Sequence, residues 1–160
     1  MQESHYLLYK AMHILGVVLF VGNIVVSAWW KTMADRSLNP LIIKFAQRQI
    51  TLTDYVFTAG GAALLYIGGL LMSMQSGLND IDTAPAWYIY GHLLFIISGV
   101  IWLFVLIPVQ YKQAKLTQTF EANSDIPKQY FKLGQIWMIA GLTATILPLI
   151  SLFTMTLKPI

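Results

Sequence analysis

Four segments of this chain, near residues 7–30, 55–74, 87–109 and 134–157, carry almost no charged side chains, and each is about 20 residues long. At 1.5 Å rise per residue such a run, wound as a helix, crosses a hydrocarbon core of roughly 30 Å. In lipid, every backbone N–H and C=O must find its partner inside the protein, and a helix of this length satisfies them within itself. The chain is therefore expected to be all-α, an up-down four-helix transmembrane bundle. Only 11% of the 160 residues are charged and 57% are hydrophobic, against about a quarter charged in soluble domains. The four spans use up the length, so residues 1–160 are read as a single integral membrane domain.

The first apolar run exceeds the roughly 7–15 residues of a signal-peptide core, Glu3 precedes it and no A-x-A site follows, so it is read as a span. Cysteine is absent, which excludes disulfides, thiolate metal sites and iron–sulfur clusters held by this chain.

Charge orients the bundle. Lys31, Arg36, Lys44 and Arg48 fall in the stretch 31–53, and Lys112, Lys115, Lys128 and Lys132 in 110–133. The connection 75–86 has no Lys or Arg but holds Asp80 and Asp82. Basic loops stay on the cytoplasmic side, so both termini are expected outside, in a bacterial cytoplasmic (inner) membrane. The net charge of +3 is accounted for by topology and does not point to nucleic acid. Trp29–Trp30 at one interface and Trp87, Tyr88 and Tyr90 at the other fit the aromatic belts. In "NPLIIKFAQRQI", Leu41, Ile42, Phe45 and Ile50 share roughly one helical face, which predicts a short amphipathic interfacial helix before span 2.

Each span gathers its small and polar residues at helical spacing. The stripes are His13, Gly16, Phe20, Asn23 and Ser27 in span 1, and Asp54, Thr58, Gly61, Leu65 and Gly68 in span 2. Span 3 has His92, Phe95, Gly99, Trp102, Leu106 and Gln110; span 4 has Gly134, Met138, Gly141, Thr145 and Pro148. Membrane helices pack through small residues and hide polar ones, so these stripes are expected to face the interior. Asp54 follows Thr51 and Thr53 and is expected to cap the start of span 2, with proton handling as the alternative. Pro148 is expected to kink span 4.

His13 and His92 enter their spans from the same side and reach a common depth of roughly 8–9 Å. In an up-down bundle spans 1 and 3 are diagonal, so two imidazoles meet across the centre. That arrangement suits haem b with His13 and His92 as axial ligands. Gly16, Gly91 and Gly99 would make room for the macrocycle, Phe20, Phe95 and Trp102 would line it, and Lys10 would pair with a propionate. Two other readings stay open on the residues alone. Lys10 snorkels while the histidines bond neighbouring helices, or Met72 and Met74 with His5 and the histidines hold Cu(I).

The stretches "LLYKAMHILGVVLFVGN", "WWKTMADRSLNP", "TDYVFTAGG" and "WLFVLIPVQYK" resemble the bacterial predicted small integral membrane proteins of domain-of-unknown-function family 2269, over nearly the whole chain. More distantly, "YKAMHILGVVLFVGN" is similar to the first helix of HemJ-type protoporphyrinogen oxidases and, to a lesser degree, of CopD-type copper-resistance proteins. HemJ-type enzymes are four-span haem b proteins, so this resemblance implies His13 as an axial ligand with Lys10 in its flank. The tryptophan expected shortly after that histidine is missing, and His92 stands in "YGHLLF" instead of the HemJ-like third-helix motif.

The expectation is thus a haem b-binding membrane protein in electron transfer or haem metabolism, partnered by quinone or a membrane redox complex, with a homo-oligomer open. If it is an enzyme, it is a HemJ-like membrane oxidoreductase. The alternatives are a non-enzymatic accessory subunit of a larger membrane complex, and transport of copper or a small solute.

Overall fold

A computed structural model describes residues 2–78, 80 and 82–158. Four long helices follow one another: α1 (Gln2–Ser37), α2 (Pro40–Gln75), α3 (Ala86–Thr117) and α4 (Lys128–Leu157). All four are long and apolar enough to cross a membrane. Their outward faces are apolar, with Val18, Val25, Phe104, Ile139 and Phe153 all at least 60% exposed. A surface of that kind is stable only against lipid.

The helices run 30–36 residues, which at 1.5 Å per residue is about 45–54 Å, well beyond the hydrocarbon core. The excess lies at the basic end, beyond the apolar runs. Most of what was read there as loop is helix, with only residues 38–39 and 118–127 outside it. Ile43, Ala46 and Ile50 of α2 pack there with Ala34, Phe120 and Tyr130 in the main buried cluster. Lys44 donates to the Gln118 and Phe120 carbonyls at 2.9 and 3.1 Å, which folds the 118–127 connection over this end.

The amphipathic helix ahead of span 2 is present as Pro40–Thr53, and it runs without a break through a π-helical segment, Asp54–Ala59, into the span. Its buried face is Ile43, Ala46, Gln47 and Ile50, while Leu41, Ile42 and Phe45 are exposed. Asn39 caps this helix, accepting from the Leu41 and Ile42 amides, with Pro40 in the first turn. Asp54 therefore lies in mid-helix, and the capping role expected for it belongs to Asn39.

α1 and α2 cross closely through glycines. A Cβ on Gly16 would run into the Leu65 backbone, one on Gly61 would sit 2.7 Å from the Phe20 amide, and one on Gly68 2.8 Å from the His13 amide. α3 and α4 form the second intimate pair, while α1 and α4 meet closely at few positions. Pro148 is buried inside α4 and has no N–H to give the Ala144 carbonyl four residues earlier. The Ser98 hydroxyl of α3 donates to that carbonyl instead. Neighbouring helices supply such bonds where proline interrupts a span. A second π-helical segment, Trp102–Leu106, precedes Pro108 in α3.

Candidate functional site

Between the α1–α2 and α3–α4 pairs lies a cavity of about 570 Å³ at the end that carries the termini. It is bordered by both His13 and His92, together with Lys10, Phe20, Tyr66 and Phe95. The glycine crossing sets the His13 side. Gly68 brings α2 against the His13 backbone, and a Cβ on Gly69 would sit 3.1 Å from Nδ1, so the imidazole rests on bare helix. His13 Nδ1 is 2.7 Å from the Leu65 carbonyl, and His92 Nδ1 is 3.1 Å from the Tyr88 carbonyl one turn earlier.

A carbonyl can only accept, so in each ring Nδ1 is the donor, and in the neutral imidazole Nε2 is left as the lone-pair nitrogen. This is how metal-bound histidines are commonly held: one ring nitrogen donates to a backbone carbonyl and the other ligates. Neither Nε2 has a hydrogen-bond partner among the described residues. Aromatic rings hold His92, with Tyr88 at 4.2 Å and Tyr66 at 6.0 Å between centroids. At the mouth stand two cations, Lys10 and Lys158, the latter 5.3 Å over the Trp87 ring.

Phe20 and Phe95 meet edge to face at 5.9 Å, and Tyr66 stacks on Phe95 at 6.0 Å. Below this layer, toward the basic end, opens a second cavity of about 550 Å³ that shares the two phenylalanines as its wall. Three residues expected beside the histidines are elsewhere. Gly16 is spent in the helix crossing, because its hydrogen faces the α2 backbone. Gly99 and Trp102 line the second cavity, lying one and two turns past Phe95 on the same face of α3. Gly91 does border the first cavity. Met72 borders it as well, whereas Met74 is 62% exposed and His5 is exposed. Among the described residues no three His, Cys, Asp or Glu side chains gather around one point.

A family model described as "Predicted integral membrane protein (DUF2269)" matches residues 7–159. The chain belongs to that family. No curated protein and no solved structure matches it.

Two polar constellations in this family member escape a reading by residue type. Asp54 Oδ1 accepts from Asn23 Nδ2 at 2.8 Å and from the Thr58 hydroxyl at 3.1 Å, and Asn23 also donates to Thr58 at 2.8 Å. Trp137 Nε1 donates to Gln110 Oε1 at 3.2 Å. Nearer the basic end, Lys31 is 2% exposed and bonds Asp35 and Tyr130. Lys31 is thus a core residue of α1, not the loop cation expected from its place in the charge pattern. Its i, i+4 spacing to Asp35 was the one signal in the sequence, and Tyr130, 99 residues on, gave none.

Proposed function

We propose that the protein binds haem b in the cavity between His13 and His92 and carries electrons in the bacterial inner membrane, with the termini outside. The observation that carries this reading is the shared cavity bordered by two imidazoles, each with Nδ1 committed to a backbone carbonyl. The donor set suits the group: two neutral nitrogens for iron, aromatic walls for a macrocycle, and Lys10 and Lys158 at the mouth for two carboxylates. A haem bound there supplies a reversible one-electron couple, and two histidine ligands favour electron transfer over O₂ binding.

The chain's own groups do the rest. Leu65 and Tyr88 fix the orientation of the imidazoles, the Phe20–Phe95–Tyr66 layer closes the floor of the cavity, and the lysines hold anionic groups near the aqueous side. Electrons would pass to or from membrane quinone. The test is an absorption spectrum of protein purified from haem-replete cells. A Soret band with sharp α and β bands on dithionite reduction is expected, and colourless protein under full haem supply removes the proposal.

A copper site is the second reading, because Met72 and Met155 border the same cavity as the two histidines, and thioether with imidazole suits Cu(I). Stoichiometric copper in colourless protein would favour it.

A further inference from the structure

The second cavity has no part in haem ligation, and its two ends describe an occupant. Its mouth lies between α1 and α4, which meet closely at few positions. Val25 and Trp29 of α1 and Met138 and Leu142 of α4 line it and are exposed. These positions fall inside or at the edge of the apolar runs, so this side of the opening faces lipid, while Arg36 lines the cavity toward the basic interface. Its inner end holds Asp54, 9% exposed and without an ion pair among the described residues. Asn23 and Thr58 bond its Oδ1 only; burying a carboxyl group is costly, and packing alone would be served by an apolar side chain. Both π-helical segments border this space, Asp54 and Thr58 from one and Trp102 and Leu106 from the other. Such turns are rare and concentrate at functional sites.

We infer that this cavity seats the headgroup of an isoprenoid quinone, with Phe95 and Trp102 against its ring and the Asp54 carboxyl group hydrogen-bonded to one of its oxygens. A phospholipid offers the acyl chain this mouth admits, but its charged headgroup stays at the interface and leaves Asp54 unused. A quinone is the membrane molecule whose head is flat, uncharged and hydrogen-bonding, so it passes an apolar opening and still answers a buried carboxyl. Phe20 and Phe95 are common walls of the two cavities, so the ring would lie one aromatic layer from the histidine site. This rests on the electron-transfer reading for its purpose, while the binding stands on the cavity alone.

The experiment titrates the full chain in lipid nanodiscs with a short-chain ubiquinone analogue. Tryptophan fluorescence is the readout, since Trp29, Trp102 and Trp137 line the cavity, and haem absorption is recorded on the same samples. Saturable quenching is expected, about tenfold weaker in Asp54→Leu, which has no O–H or N–H to donate to the quinone carbonyl, the scale of one neutral hydrogen bond, and lost in Gly99→Leu. Gly99 lines the cavity and a Cβ there meets nothing within 4 Å, so this variant fills the space without touching the Asn23–Asp54–Thr58 network. It carries the test if Asp54→Leu does not fold. Quenching that fails to saturate, that persists undiminished in Gly99→Leu, or that excess phospholipid relieves equally overturns the site. Colourless protein that binds the analogue in this variant-sensitive way upholds the quinone site and removes only the haem. Coloured protein without saturable binding does the reverse.

Discussion

The Lys31 ammonium lies 3.1 Å from the Asp35 carboxylate one turn further along α1, and Tyr130 of α4 closes the pair, donating to Asp35 at 2.7 Å and accepting from Lys31 at 3.0 Å. The ammonium also stands 4.7 Å from the Tyr130 ring centre. This triad ties α1 to α4 at the end where the helices outrun the membrane. Lys31→Met leaves Asp35 and Tyr130 without their cation. Asp35 is a quarter exposed, so the loss is expected at about 2–3 kcal/mol, below the full cost of breaking a buried pair. Thermal unfolding in detergent measures it. Lys31→Met combined with Asp35→Leu should cost less than the sum of the two single changes, and strict additivity would argue against coupling.

Under the haem proposal, the ligands are separable from their surroundings. His13→Ala and His92→Ala would each remove one axial bond and should abolish the low-spin spectrum or convert it to high-spin. Lys10→Ala should keep the spectral type and weaken retention by about 1–3 kcal/mol, the range for a charge-assisted hydrogen bond. An unaltered low-spin spectrum in His92→Ala alone would assign the second ligand elsewhere.

Gly16 and Gly22 predict opposite outcomes from the same substitution. Gly16→Ala drives a methyl into the Leu65 backbone and forces α1 from α2, at an expected cost of about 1–3 kcal/mol. Because Leu65 also anchors the His13 ring, the haem spectrum should change with it. Gly22→Ala meets nothing within 4 Å and should leave stability unchanged or raise it by about 0.5 kcal/mol. Equal melting temperatures for the two variants would contradict the crossing.

Ser98 and Pro148 should be coupled through Ala144. Ser98→Ala strips the Ala144 carbonyl of its donor and should cost about 1–3 kcal/mol, the penalty for a buried acceptor left unsatisfied. Pro148→Ala restores the helical N–H to that carbonyl, so the cost of Ser98→Ala should shrink in that background. A double-mutant cycle by thermal unfolding reads the coupling.

Orientation is testable because the chain has no cysteine. Thr83 and Asn123 are exposed at opposite ends of the bundle, whereas Thr117 is buried and bonded to the Ala114 carbonyl. An impermeant thiol reagent on intact spheroplasts should label a cysteine at 83 and spare one at 123. The reverse pattern would invert the topology drawn from the basic residues.

The apolar runs determined the four helices, their order and the end at which charge collects, because transfer into lipid depends on local composition and length. The common depth of His13 and His92 was legible for the same reason: rise per residue is fixed. Partners and facing were not. Gly16 and Gly69 look alike in sequence, yet one is pressed against a backbone and the other seats an imidazole, and only the crossing of α1 on α2 distinguishes them. Asp54 read as a helix start because the apolar run begins there, but backbone hydrogen bonds continue back to Pro40 through charged residues that no longer lie in lipid. Lys31 read as a surface cation, and became a core residue only when Tyr130, 99 residues away, was brought against it. Hydropathy is a property of consecutive residues. The contacts that make a site are decided by the rotation and crossing of helices, which no single segment encodes.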